Sequence, residues 1–476
     1  MTWLDYMQQK APNFQRVLIL QGGGSLGAYE SGAYHAFYEM VTKKDEERGF
    51  KNKPLLDIVA GTSIGAINSA VLVSYVVENN TWEGSSERLS EFWDYLSRES
   101  SFDQFPGLRE WWDYLHNNVN HDIATGEAAR RYYTAKEFSV RGVPTVFSPL
   151  TPQVDTKFFD PQNLWYRFDS RPLKRSLERF AKFPIATTFD EKASFNQPRL
   201  ILVSVDVAEG SPVVFDSYEK EDGSRKSEYG KYIVQDGKEV GFTHIVRYND
   251  GITADQVIAS ASVPINFGYT SLEVESYNNA TSNYEKNIRY FWDGGIMSNT
   301  PLTQVVRLHR EYWLKRKGFK DTVPRLNIFI VNVHPLKQDT IPHDHDGVIN
   351  RNADITFSDR TEREQHALLL VSDFVDLARE LIKIAKENGV NDNVINSLLE
   401  RKTMNHGMAI RPRKYSDILV GQYEIGKIIR INRKNDEYTI SNKIFDFSSK
   451  TIKQLRESGY NNVQDLTDVE YEGAEF

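Results

Sequence analysis

The chain has 476 residues and not one cysteine. Disulfides, thiolate metal sites and a cysteine nucleophile are therefore excluded, and a reducing compartment is expected. Nor does any stretch approach the roughly 18 to 20 apolar residues that a membrane-spanning helix requires. An excess of positive charge is also lacking: 58 Lys/Arg face 66 Asp/Glu, a net of −8. With no zinc-finger or RNA-binding signature either, nothing points to nucleic acid. Residues Met1 to Lys10 lack the basic start and apolar run of a secretory signal, so a cytoplasmic protein is expected. What the chain does have, 40% apolar and 12% aromatic residues, suffices for a large core in two to three domains.

One stretch organises the rest. Asp57-Ile58-Val59-Ala60 reads as a short buried strand that runs into Gly61-Thr62-Ser63-Ile64-Gly65, a Gly-x-Ser-x-Gly turn, and then into a helix over about Ile64 to Val77. A serine at such a turn has its hydroxyl pushed off the sheet edge, and the glycines two positions either side let the backbone turn without clash. The helix start aims unpaired amides and a positive dipole end at the same place. Taken alone the pentapeptide is equally compatible with a plain strand-to-helix turn.

Upstream, the apolar run Val17 to Leu20 leads into Gln21-Gly22-Gly23-Gly24-Ser25-Leu26-Gly27 and a helix over about Ala28 to Val41. Consecutive glycines after a strand let backbone N–H groups converge on a negative atom, either a phosphate or the oxyanion of acyl transfer. A dinucleotide site needs an acidic residue about 20 positions on, where this chain carries the solvated cluster Lys43 to Arg48, and the P-loop lysine is missing as well. The order strand, glycine loop, helix, strand, serine turn, helix predicts a parallel βαβ unit with both loops at the carboxyl edge of the sheet.

Between Thr81 and about Phe195 lie five of the eight tryptophans, Trp82, Trp93, Trp111, Trp112 and Trp165, with Phe158 and Phe159 among other aromatics. They read either as core filling under long connections or as an apolar cap that holds an acyl chain or meets lipid. Regular structure resumes with a buried strand over Pro198 to Val207, an exposed hairpin-like excursion from Tyr218 to Glu239, and a helix capped by Thr253 that stops before Pro264. A further apolar strand ends in Trp292-Asp293-Gly294-Gly295; taken as a strand of the parallel sheet, it would bring Asp293 to the edge where Ser63 sits. Leu326 to Val333 is another strand.

Three blocks in this order, Gly22 to Gly27, Gly61 to Gly65 and Asp293 to Gly295, resemble the signatures of patatin-like phospholipases, as does Ala259-Ser260-Ala261-Ser262-Val263-Pro264. The resemblance spans roughly residues 13 to 340. It implies a three-layer α/β/α fold with a mostly parallel central sheet and a Ser-Asp dyad without a third member. Carried over, Ser63 is the nucleophile, Asp293 the base, and the amides of Gly22, Gly23 and Gly24 the oxyanion hole. Gly27 would permit close packing at the helix start, and Gly294, followed by Gly295, the turn that presents the carboxylate. The implied function is a metal-independent lipid acyl hydrolase that works through an acyl-enzyme and needs no cofactor. Acyl transfer at the same site, or a non-catalytic lipid-binding or scaffold module on the same fold, are the alternatives.

An α/β-hydrolase triad would instead need a late histidine, for which His334 is best placed. A second acid between serine and histidine is missing, which argues against it. His343-Asp344-His345-Asp346 alternate like metal ligands, but no further ligand follows at useful spacing, so no metal is expected. Beyond residue 340 an accessory region over 341–464 is expected, followed by an acidic tail over 465–476. Ala367, Leu370, Phe374, Leu377, Leu381 and Ile384 recur at helical spacing, which predicts an amphipathic helix packed on the catalytic domain or on a partner subunit and ended by Gly389. Asn391 to Met404 reads as a helix, and Ile425 to Ile431 with Tyr438 to Ile440 as a strand pair. Asp446 to Ile452 and Arg456 to Tyr460 resemble the uncharacterised C-terminal region of some bacterial patatin-like proteins. Between Arg401 and Arg456, 13 Lys/Arg against 5 Asp/Glu give +8 and leave −16 for the rest. Such a segment would either meet anionic headgroups or pair within the molecule. The expected partners are thus an acyl-ester substrate, a membrane surface in peripheral contact, and possible further copies in a homo-oligomer.

Overall fold

The computed structural model describes residues 12–49, 54–104, 107, 114, 126–150, 166–190, 193, 195–230, 233–235, 238–240, 242–278, 281, 283–317, 323–402, 414–419, 425–436 and 438–466. Trp111, Trp112, Phe158, Phe159, Trp165 and the acidic tail beyond residue 466 lie outside them.

In chain order the elements that build the site begin with strand β1 (Phe14–Leu20), helix α1 (Gly27–Glu47), β2 (Ile58–Thr62), α2 (Ile64–Asn79) and α3 (Ser85–Leu96). Next come β3 (Arg199–Asp206), β4 (Ser211–Asp216), β5 (Lys226–Tyr229), β6 (Phe242–Arg247), α4 (Ala254–Ser260), β7 (Thr270–Asn278) and β8 (Asn283–Asp293). Helix α5 (Leu302–Glu311), β9 (Arg325–Asn332), α6 (His345–Phe357), α7 (Thr361–Glu387), α8 (Asp392–Leu399), β10 (Ile425–Asn432) and α9 (Ser449–Gln464) complete the chain.

One ten-stranded sheet runs in the order β10-β9-β1-β2-β3-β8-β7-β6-β5, with β4 on β3. The block from β10 to β3 is parallel throughout, as the apolar runs predict for strands covered on both faces. Alternate residues of these strands feed two cores. Leu18, Leu20 and Val59 face α1, α2 and α3, while Val17, Ile19, Ile58 and Ile330 face Leu302, Val305 and Val306 of α5. This makes the three layers.

Two expectations are corrected. Strand β8 runs antiparallel to β3 and not parallel, because it is the return arm of a hairpin with β7, and a short connection can only reverse the chain. Ile425–Asn432 does not pair with residues 438–440, which form no strand; it joins the main sheet parallel to β9, where Ile429 and Ile431 reach the core. Burial of Ile429 and Ile431 against the core outweighs the local hairpin signal.

The C-terminal segment is tied to the main body. Helix α9 crosses α1 at Gly32 and Gly459, where a Cβ would stand 1.9 Å from the Arg456 carbonyl oxygen and 2.0 Å from that of Tyr29, so only glycine allows this approach. Lys443, Lys450 and Arg456 from the basic segment pair with Asp354, Glu127 and Asp94. These basic side chains thus follow the intramolecular reading of the charge asymmetry. Helix α7 buries Val375 and leans Leu368 on the core, but Phe374, Leu377, Leu381 and Ile384 on its neighbouring face are more than half exposed. No helix among the described residues is long and apolar enough to cross a membrane.

Candidate functional site

Strand register brings the sequence motifs together. On one edge of β3, Thr62 at the tip of β2 pairs with Val203, and Asp293 at the tip of β8 pairs with the next residue, Ser204. Because β4 takes the opposite edge of β3, β2 and β8 share this one and run head-on toward each other. Ser63, one step past Thr62, therefore meets Asp293 at the junction of two strand tips.

The serine turn is strained. Ser63 has φ 56° and ψ −125°, a conformation that a side chain rarely adopts, and it immediately precedes α2. Its neighbours leave no room for anything else: a Cβ on Gly61 would lie 2.3 Å from the Gly65 carbonyl oxygen, and one on Gly65 2.3 Å from that of Leu20. The Ser63 amide donates to Ser260 Oγ at 3.1 Å, and that hydroxyl donates to the Val203 carbonyl at 2.6 Å. Ser260 thus pins the turn to the template strand.

Asp293 is 4% exposed, and its Oδ1 accepts the Gly295 amide at 2.7 Å. Burial pushes the carboxyl up to about 7, partly countered by the Ser63 hydroxyl and the Gly295 amide. Its Oδ2 is buried and has no well-aligned hydrogen-bond partner among the described residues. A buried carboxylate oxygen without a donor, beside a hydroxyl, is poised to accept a proton.

The glycine loop lies on the other side of Ser63. A Cβ at Gly22 would stand 2.7 Å from Ser63 Cβ, so the loops touch. The Gly22 amide is already committed, donating to Asn299 Oδ1 at 2.9 Å, whereas those of Gly23 and Gly24 donate to nothing among the described residues. Gly24 needs its φ of 57°, and a Cβ there would press to 2.5 Å from the Ile444 carbonyl oxygen. Gly27 abuts Ile64 and Trp93, and Gly294 abuts the Val203 carbonyl, where side chains would clash.

His334 does not face Ser63. Its Nε2 lies 3.0 Å from the Gly22 carbonyl oxygen and its Nδ1 3.2 Å from Asp354 Oδ1, so the ring braces the loop from behind. In the same network Lys443 Nζ donates to Asp354 at 2.6 Å, and the Lys443 carbonyl accepts Ser25 Oγ at 2.7 Å. Asp344 caps α6 through the Gly347 amide, and Asp346 accepts from Ser441, so both acids of the alternating His-Asp segment serve local structure. Among the tryptophans described in the aromatic region, Trp82 and Trp93 are buried, and Trp93 donates to Asn68 and stacks on Phe447, which is core filling.

In the sequence Ser260 stands out only as part of a resembling block and His334 only as a triad candidate, and no role falls to Asn299, Asp354 or Lys443. Asn299 had a faint signal, its position six residues after Asp293 in Asn299-Thr300-Pro301. The family model for patatin-like phospholipases matches residues 18–306, more than half of the chain. The chain belongs to the patatin-like phospholipase family. Membership supports lipid hydrolase activity in general. Among solved structures, this chain is similar to VipD from Legionella pneumophila, with a TM-score of 0.29 and 12% identity over 97% of this chain and 68% of that one. No curated protein matches it.

Proposed function

We propose that this patatin-like phospholipase cleaves acyl esters of lipids through a Ser63-Asp293 dyad and an acyl-enzyme. The observation that carries the reading is the register on β3, which sets a strained serine and a buried carboxyl with a raised pKa beside each other. A serine hydroxyl is a poor nucleophile until a base takes its proton, and a carboxylate whose pKa lies near 7 is matched to that task at neutral pH.

Asp293 Oδ2 removes the proton from Ser63 Oγ as Oγ attacks the ester carbonyl. The charge that forms on the carbonyl oxygen is met by the amides of Gly23 and Gly24 and by the start of α2. Gly22 serves this hole indirectly, since Asn299 holds its peptide and thereby aims the next two amides. The protonated Asp293 then returns its proton to the departing alkoxide. Water, deprotonated by the same carboxylate, attacks the acyl-enzyme, and as the second tetrahedral intermediate collapses Asp293 returns that proton to Ser63 Oγ, which releases the fatty acid and restores the dyad. No step calls on a metal.

A fluorophosphonate probe tests the assignment directly. Labelling of the wild type with none of Ser63→Ala, and loss of ester hydrolysis in a folded Asp293→Asn, are the expected results. Persistent labelling of Ser63→Ala would sink it.

A further inference from the structure

The hairpin that delivers Asp293 carries a second message on its other face. Along β8, Phe291 points into the core while Tyr284, Ile288 and Tyr290 on the opposite face are each half or more exposed. Alternation of this kind gives a sheet one buried and one outward face, and the outward one is normally polar. Here Tyr284, Ile288, Tyr290 and Trp292 make an apolar and aromatic stripe along β8, flanked on the same face by Ser271, Glu273, Glu275 and Lys286. The stripe continues to the mouth of the site: Tyr290 and Trp292 pack on Tyr269, and Ile296 and Met297, three and four residues past Asp293, are about half exposed.

Ile265 marks the same rim. It is 63% exposed and held at φ 68°, where a β-branched side chain is a clear outlier. It lies three residues after Ser262, whose carbonyl accepts the Asp293 amide at 2.9 Å. The Ile265 carbonyl accepts the Arg167 amide at 3.1 Å, but that bond needs no isoleucine, and glycine would hold the same φ without strain.

Charge on this face is balanced. Glu273 pairs with Lys286 across the hairpin at 3.0 Å, and Glu275 pairs with Arg247. Two acids and two bases leave the surface neutral, and tyrosine with tryptophan is the composition that settles at a water–lipid boundary.

We propose that the outer face of the β7–β8 hairpin, with Ile265, Ile296 and Met297, docks on an electrically neutral lipid surface and sets the mouth of the site against it. The proposal rests on the lipid-hydrolase reading above and adds the surface and its orientation. From Tyr284 to Asp293 the strand extends about 30 Å at roughly 3.3 Å per residue, so a face docked along its length lies on the surface and ends at the mouth of the site.

Sedimentation with vesicles of phosphatidylcholine alone, and with added phosphatidylglycerol, tests this on the full chain. The wild type should bind both equally well. Ile288→Asp and Ile265→Asp should each weaken binding and vesicle hydrolysis on the order of tenfold. Hydrolysis of a dispersed short-chain ester by Ile288→Asp should be unchanged, which also shows that this variant folds. Ile384→Asp on α7, a similarly exposed apolar position away from the hairpin, should bind like the wild type.

Failure of the wild type to bind phosphatidylcholine, or equal binding by the two hairpin-face variants, overturns the proposal. So does binding that requires phosphatidylglycerol, or loss in Ile384→Asp alone. Loss of short-chain ester hydrolysis in the wild type would instead defeat the dyad reading, whatever the vesicles show.

Discussion

The raised pKa of Asp293 makes the pH profile of acylation the sharpest test of the dyad. Burial moves the carboxyl from 3.8 to about 7, so only the ionised fraction above that range can take the Ser63 proton. In single-turnover acylation with a soluble chromogenic ester, the rate should climb with a midpoint near 7 and level off beyond it. At pH 6 roughly one-tenth of the plateau remains, because about one carboxyl in ten is ionised there. The same shift has a thermodynamic face. A carboxyl whose folded pKa exceeds its unfolded value favours the folded state below the unfolded pKa, and that contribution disappears as pH rises through the folded one. At 1.36 kcal/mol per unit the loss totals about 4 kcal/mol between pH 4 and pH 8. Asp293→Asn keeps the shape without the charge. Its stability in urea should therefore equal that of the wild type near pH 4 and exceed it by up to about 4 kcal/mol at pH 8, while acylation is abolished. A rate that is flat from pH 6 to pH 8, or a midpoint near 4, would refute the argument. A histidine base at His334 would give a midpoint below 6.5, since burial pulls that ring down.

Other variants probe the supporting structure. Asn299→Ala frees the Gly22 peptide and should lower kcat about 100-fold with little change in KM, as expected when donors to an oxyanion lose their aim; an unchanged kcat would remove Asn299 from the site. Gly459→Ala drives a methyl to 2.0 Å from the Tyr29 carbonyl oxygen and should cost about 3 kcal/mol or more, read as a lower melting temperature. Ile265→Gly relieves a positive φ and should stabilise the fold by about 1 kcal/mol in denaturant melts while vesicle binding falls severalfold; destabilisation would show that the residue is packed and not strained.

Much of the architecture was readable before any coordinates because its central strands are buried on both faces. Val17 to Leu20 and Leu200 to Val203 are continuous apolar runs, and such runs have few other uses. The glycine loops were readable for a similar reason, since close approach of Gly22 to Ser63 or of Gly65 to Leu20 tolerates no other residue. The direction of β8 was not, because an apolar run ending in Asp-Gly-Gly looks alike whichever way its neighbour points. The partner of β10 lay 100 positions away in Leu326 to Asn332, beyond the reach of local pattern. The contacts of Asn299 and Ser260 were not legible because the importance of these residues comes from what they touch, and asparagine and serine are ordinary polar residues. The periodicity of α7 correctly announced a helix, yet periodicity cannot tell a face against the core from one left in water.

Two polypeptide ends aimed at each other along a shared rail fix the spacing of alcohol and acid by the repeat of that rail alone. Neither partner depends on the length of the loop that leads to it. Length can thus be added or removed at the far end of the hairpin without shifting the carboxyl, whereas sliding it by one position would turn the acid to the opposite side of the sheet. Insertions are affordable at the tip and fatal at the register.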